Sequence, residues 1–318
     1  MNAGARLSLY GAGLVVAFGG AFGVAGAVVP DSAVTGWKEG SEMKGHDMDN
    51  GSENSGSASP AADTLKGLAL GVDGYVLSSV EAPAVAGESG KLSFQIQDAS
   101  GAPVKKYTTS HEKDLHFIVA RSDGTQFRHV HPMLNEATGT WSMPWEWTEA
   151  GSYRVYADFT PAGADASALT LTRTVQVAGE FVPVAPKPTR VDQVDGFTVS
   201  IDGEMVPGSS SELAITVTRD GQPVTTLEPY LGAFGHLVAL RDGDLSFLHV
   251  HAEGDDPKAG QTAGPKIVFA SKAPTVGRYL LYLDFQVNGE VHTAEFVLDA
   301  ALGGDSKDTE SGSHSKGH

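Results

Sequence analysis

Six histidines recur in a fixed pattern: His116, His129 and His131, then His236, His249 and His251, each of the second set 120 residues after its counterpart. Within each set the spacing is thirteen residues and then two, inside apolar, strand-like sequence. The first copy reads Leu115-His116-Phe117-Ile118-Val119-Ala120-Arg121, followed by Phe127-Arg128-His129-Val130-His131-Pro132. The second reads Gly235-His236-Leu237-Val238-Ala239-Leu240-Arg241, followed by Phe247-Leu248-His249-Val250-His251. Three neutral imidazoles at one point suit Cu(II), Zn(II) or Ni(II), with a position left for water or a fourth ligand.

Residues i and i+2 of a strand point to one side. His129 and His131 therefore share a face, as do His249 and His251, with Val130 and Val250 turned to the core. A hairpin partner carrying His116 or His236 can come within about 5 Å, so three rings can converge in each copy. Asp158 and Asp284 occupy matching Tyr-x-Asp-Phe strand ends. Each is a candidate fourth ligand or the carboxylate that fixes an imidazole tautomer. Met133 stands two residues after the first triad and Glu253 two after the second. If both ligate, the first site is softer and more tolerant of Cu(I).

A structural reading stands beside the metal one, because strand histidines often serve packing and duplicated domains keep core residues too. Trp141, Trp145 and Trp147 alternate on one face and read as core or rim packing. His111 and His292 have Leu231 and Leu171 at the equivalent positions of the other copy and do not join the candidate sites.

These rings need a scaffold, and the chain supplies two copies of one. Around the first triad, Leu92, Phe94 and Ile96 alternate with polar residues, and Gly139–Trp147, Gly151–Phe159 and Leu169–Val177 read as further strands. Leu115–Arg121, the turn Ser122-Asp123-Gly124-Thr125 and Gln126–His131 read as a hairpin. The pattern then restarts: Val72-Asp73-Gly74-Tyr75 matches Val194-Asp195-Gly196-Phe197, and Gly151–Phe159 matches Gly277–Phe285. About seven short strands per copy, with Gly, Pro and Asp turns, predict an antiparallel β-sandwich of about 100 residues. The fold class expected is all-β, two tandem antiparallel β-sandwich domains after an N-terminal transmembrane or signal helix.

Domain boundaries follow from composition. Residues 1–30 contain the uncharged run Leu7–Pro30 behind Arg6. It is long enough to span a bilayer, and Arg6 favours a cytoplasmic N-terminus. Ala25-Gly26-Ala27 offers a cleavage site; an uncleaved anchor is favoured over a cleaved signal peptide. Residues 31–64 form a flexible acidic Gly/Ser linker that holds Met43, His46 and Met48. Domain 1 spans 65–180, a stiff proline-rich connector 181–190, domain 2 spans 191–300, and a His-containing tail 301–318 is expected to be disordered. The bulk of the chain is expected outside the cytoplasmic membrane.

Composition narrows the function. A net charge of −17 excludes a sequence-independent nucleic-acid binder. The chain has no cysteine, which removes disulfides, thiolate metal sites, cysteine nucleophiles and a blue-copper centre. No Ser-His-Asp order, paired carboxylates or phosphate loop emerges, so no enzyme is expected, although an open three-histidine site can in principle activate water.

Asp114-Leu115-His116, Phe127–Pro132 and Gly151–Phe159, with their second-copy partners, resemble secreted or membrane-tethered bacterial proteins of the YtkA-like, heavy-metal-associated type. The resemblance covers roughly residues 65–300. It implies an immunoglobulin-like or cupredoxin-like sandwich, copper as the ion (zinc or another divalent transition metal as alternatives), and a copper transporter or chaperone as partner. The second copy departs from the pattern at Ala252, where the first has Pro132. The expected function is an extracytoplasmic metal-binding protein that buffers or hands over the ion. The alternative is a surface adhesion or assembly module of two sandwiches with structural histidines.

Overall fold

The structure is a computed structural model that describes residues 66–301 except Asp165 and Ala259, with only the backbone of His249. The expectations for the anchor, the linker and the tail beyond residue 301, with Met43, His46, Met48, His314 and His318, lie outside the described residues.

The described residues are all-β. Domain 1 holds β1 (Gly71–Val72), β2 (Tyr75–Leu77), β3 (Ser89–Gln97), β4 (Tyr107–Thr108), β5 (Leu115–Arg121), β6 (Arg128–Val130), β7 (Met133–Asn135), β8 (Thr140–Glu146), β9 (Gly151–Pro161) and β10 (Leu169–Val177). Domain 2 holds β11 (Val191–Val194), β12 (Phe197–Asp202), β13 (Ser211–Arg219), β14 (Gln222–Pro223), β15 (His236–Arg241), β16 (Phe247–His249), β17 (His251–Ala252), β18 (Lys266–Ser271), β19 (Gly277–Val287) and β20 (Glu290–Ala300). Each domain pairs its strands antiparallel into two sheets. Domain 1 has the orders β1-β2-β3-β8-β7 and β10-β9-β5-β6; domain 2 repeats them as β11-β12-β13-β18-β17 and β20-β19-β15-β16. The strands outnumber the expected seven because two- and three-residue edge pieces are too short to show alternation. Asp73-Gly74 and Asp195-Gly196, all at positive φ, make the tight first hairpin of each domain.

Alternation explains each sandwich. Leu92, Phe94 and Ile96 meet Leu115, Phe117 and Val119 in one core, and Leu213, Ile215 and Val217 meet Leu237 and Ala239 in the other. Trp141, Trp145 and Trp147 are buried in the first core. Val130 packs against the first core, and Val250 is buried in the second.

β5 departs from alternation: all seven of its residues are buried. Its second face docks on the equivalent face of domain 2. Ile118, Ala120 and Tyr156 pack with Val238, Leu240, Leu280 and Tyr282 in a third core between the domains. Each fully buried apolar side chain contributes on the order of 1.5–3 kcal/mol. The contact is reciprocal. Tyr156 Oη donates to the Leu245 carbonyl at 2.6 Å, and Tyr282 Oη donates to the Gly124 carbonyl. Phe127 stacks on Tyr282 at 3.9 Å between ring centroids, while Phe247 lies 5.8 Å from Tyr156. Gly124 (φ +82) sits where a Cβ would lie 2.3 Å from Leu280 Cδ1, so a side chain here would be strained and would have to displace Leu280.

Candidate metal centre

The first triad converges. Ladder register sets Ile118 opposite His129 and Phe117 opposite Val130, so His131, just past the end of β6, falls beside His116. His116 Nδ1 lies 3.0 Å from His129 Nε2 and 3.2 Å from His131 Nε2. One ring nitrogen from each histidine falls within 4.8 Å of the others. The expected strand Gln126–His131 is shorter than read, Arg128–Val130: Gln126 takes a φ of 56° and belongs to the turn, and Pro132 has no N–H for the ladder.

The outer nitrogens decide the chemistry. His116 Nε2 lies 3.1 Å from the Ser110 carbonyl oxygen, and His129 Nδ1 lies 2.9 Å from Asp284 Oδ2. A carbonyl and a carboxylate only accept, so each outer nitrogen carries the proton. With both rings neutral, the inner nitrogens of His116 and His129 present lone pairs to each other at 3.0 Å. Two facing lone pairs repel unless a metal ion, or a second proton that makes one ring an imidazolium, sits between them. Two imidazoles on one ion at about 2.0–2.1 Å, about tetrahedral, hold their nitrogens roughly 3.3 Å apart. Burial, then the neighbouring His129 and His116 rings, push the His131 pKa down to about 3, so His131 is neutral, the ligand form, at ordinary pH. The His129 side chain is 0% exposed and that of Asp284 4%.

Ser110 is set by its own turn. His111 and Glu112 take positive φ values of 48° and 65°, and Ser110 and Lys113 exchange backbone hydrogen bonds across them. The His111 ring ends 6.1 Å from His116 and 5.7 Å from His236. The repeat does not mark it, because the other copy has Leu231; only a long-range contact reveals it.

The remaining candidates fall as follows. Asp158 is the cross-strand partner of His116, and Asp284 that of His236. Of the two roles open to Asp284, it takes the tautomer-fixing one, but for the histidine of the other domain. Asp158 accepts from Thr170 at 2.7 Å, and burial pushes its carboxyl pKa up. His236 lies 4.8 Å from His129 and 5.6 Å from His116 between ring centroids. His249 is in β16 opposite Val238, with its side chain outside the described set. His251 opens β17 and is exposed. Met133 is 79% exposed. His292 pairs with Asp195 at 2.8 Å and packs on Phe197. Among the described residues no helix is long and apolar enough to cross a membrane.

A family model described as a domain of unknown function (DUF8832) matches residues 71–179 and again 192–301. The chain therefore belongs to that family and carries its domain twice. No curated protein matches the sequence. Among solved structures it is similar to the Escherichia coli adhesin FdeC, at 17% identity over 73% of this chain and 66% of that one, TM-score 0.22. Domains 4 and 5 of the S-layer protein SbsC match at 11% identity over 72% of this chain and 98% of theirs, TM-score 0.22. Invasin, a bacterial integrin-binding protein, matches at 11% identity over 72% of this chain and 39% of that one, TM-score 0.21. The chain thus spans about two thirds of the adhesin and two fifths of the invasin. At these TM-scores the likenesses carry no argument about function.

Proposed function

We propose that this two-domain DUF8832 chain binds a transition-metal ion at His116, His129 and His131, and buffers or hands over that ion outside the cytoplasmic membrane. One observation carries the reading: the outer nitrogens of His116 and His129 are held by acceptors, so their inner nitrogens turn lone pairs toward one point. Ligating histidines characteristically donate their other N–H to a carboxylate or carbonyl in this way. Copper is the ion we favour, with zinc or another divalent transition metal as alternatives; that preference rests on the resemblance to YtkA-like proteins. In this reading residues 1–30 tether the chain to the membrane, or direct its secretion if cleaved, and a copper transporter or chaperone is the partner.

A surface adhesion or assembly module with structural histidines is the second reading. It is favoured by the burial and hydrogen bonding of the same rings and by an apolar groove lined by Met133, Leu134, Met143 and Pro144 at the β7 sheet edge. Calorimetric titration with Cu(II), Zn(II) and reduced copper separates the two. Sub-micromolar binding, lost in the double variant His129→Ala, His249→Ala, supports the metal reading. No binding by the wild type, with a variant that merely melts lower, hands first place to the adhesion or assembly reading.

A further inference from the structure

We infer that the ion site is shared between the two domains, with His236 as its fourth imidazole, so that one ion bridges the sandwiches. This rests on the metal reading above and replaces one site per domain with a single composite site. The ring centroids within the first triad are separated by 5.2 Å (His116–His129), 5.0 Å (His116–His131) and 5.0 Å (His129–His131). The His236 ring stands beside this set, 4.8 Å from His129 and 5.6 Å from His116, although among the described residues the nitrogens that already converge within 4.8 Å are those of the three domain 1 histidines. Its strand, β15, also holds Val238 and Leu240, which build the apolar contact between the domains. The docking that buries these side chains therefore carries His236 to the triad.

Domain 2 contributes a second element independently. Asp284, directly across the β15–β19 ladder from His236, receives the His129 N–H at 2.9 Å. One strand pair of domain 2 thus delivers both a ring and the carboxylate that sets the tautomer of a domain 1 ligand. Three imidazoles leave a coordination position open, and the fourth closes it. A closed four-nitrogen set suits tetragonal Cu(II) or tetrahedral Zn(II) and fits storage or linkage of the ion better than chemistry on a bound water.

The test uses the whole chain with Cu(II) as the probe. Calorimetry gives affinity and stoichiometry, and pulsed electron paramagnetic resonance counts the imidazoles on the ion, in the wild type and in His236→Ala. The expected result is one Cu(II) per chain with four imidazoles in the wild type. In His236→Ala three should remain, with at least about tenfold weaker binding. A wild-type count of three overturns the inference even if the variant fails to fold. Unchanged affinity and signal in His236→Ala, or two independent ions per wild-type chain, overturn it while leaving metal binding intact. No Cu(II) or Zn(II) uptake by the wild type removes the metal reading and this inference together.

Discussion

The two copies share a strand order and a His–Asp cross-strand pair, yet they treat the third histidine differently. In domain 1 the ladder beyond β6 resumes only at Met133, which pairs with Ser142. His131 is left off the sheet and stays with His116. In domain 2 the corresponding ladder begins two residues earlier. His251 pairs with Ala270 and Ala252 with Phe269, and His251 is exposed. Continuing that register puts His131 opposite Pro144, where domain 2 has Ala270 opposite His251. Proline cannot donate to a ladder, so Pro144 has no N–H for the His131 carbonyl, whereas Ala270 has one for His251. The facing strand thus decides whether a strand end serves a side-chain cluster or a backbone ladder.

That contrast predicts a one-sided mutational result, and it is the largest effect expected. His131→Ala should weaken ion binding by more than the 10- to 100-fold, on the order of magnitude, that an outer partner costs. His251→Ala should leave the affinity of the first triad unchanged. Equal losses would break the comparison. Pro144→Ala sharpens it: restoring the N–H opposite His131 lets the ladder reach back toward it, and affinity should fall about tenfold. The reciprocal Ala270→Pro should leave the first triad untouched. Calorimetry on the four variants reads all these outcomes.

Much of this architecture was written locally. The 120-residue repeat and the alternation of Leu92, Phe94 and Ile96 announce two sandwiches, because side-chain period two is a property of neighbouring residues. The convergence of His116, His129 and His131 was likewise legible, since hairpin register and i,i+2 geometry are short-range. The docking of the domains had a fainter signal. Leu115 to Ala120 is apolar apart from His116, and an unbroken apolar run marks a strand buried on both faces, but nothing in it names the covering surface. Asp284 lies 155 residues from His129, and no local pattern connects them. Its matching place in the repeat pointed to its own domain instead. His111 had no counterpart to flag it.

The turns after β5 and β15 provide a second comparison, readable in acid. Arg121 NH2 is 2.9 Å from Asp123 Oδ2, with both side chains nearly inaccessible, and Val184 N from the connector donates to the same oxygen at 2.9 Å. Burial opposes ionisation of Asp123, but the hydrogen bonds from Arg121, Val184 and Thr125 outweigh it and hold its pKa down to about 2. In domain 2 Asp244 pairs with Arg241 and is more exposed, its pKa also lowered, chiefly by Arg241. A carboxylate depressed in the folded state adds stability that is fully present above its ordinary pKa and is lost as pH falls through the folded value. Asp123→Asn should therefore destabilise the protein at neutral pH, with the difference from wild type shrinking between about pH 4 and pH 2. Asp244→Asn should show the same sign with a smaller amplitude, because its pair is better solvated. Chemical denaturation of both variants across that range measures the contrast, and a larger effect at Asp244 would reverse it.

The smallest expected difference concerns the contact the copies make with each other. Tyr156 and Tyr282 occupy equivalent places, and each hydroxyl donates across the junction to a carbonyl of the opposite turn, Leu245 and Gly124 respectively. Replacing either by phenylalanine keeps the ring and its packing but strips a buried carbonyl of its donor. A buried acceptor left unpaired costs about 1–3 kcal/mol. Tyr156→Phe and Tyr282→Phe should therefore lower stability by similar amounts in that range. The residues are in the same apolar cluster, so they should couple rather than add. The first substitution loosens the docking that the second hydroxyl depends on, and the double variant should then lose less than the sum of the singles. A strictly additive double variant, measured by denaturant titration, would mean that the two bonds form independently. The junction would then be two separate contacts rather than the one cooperative surface that brings Asp284 to His129.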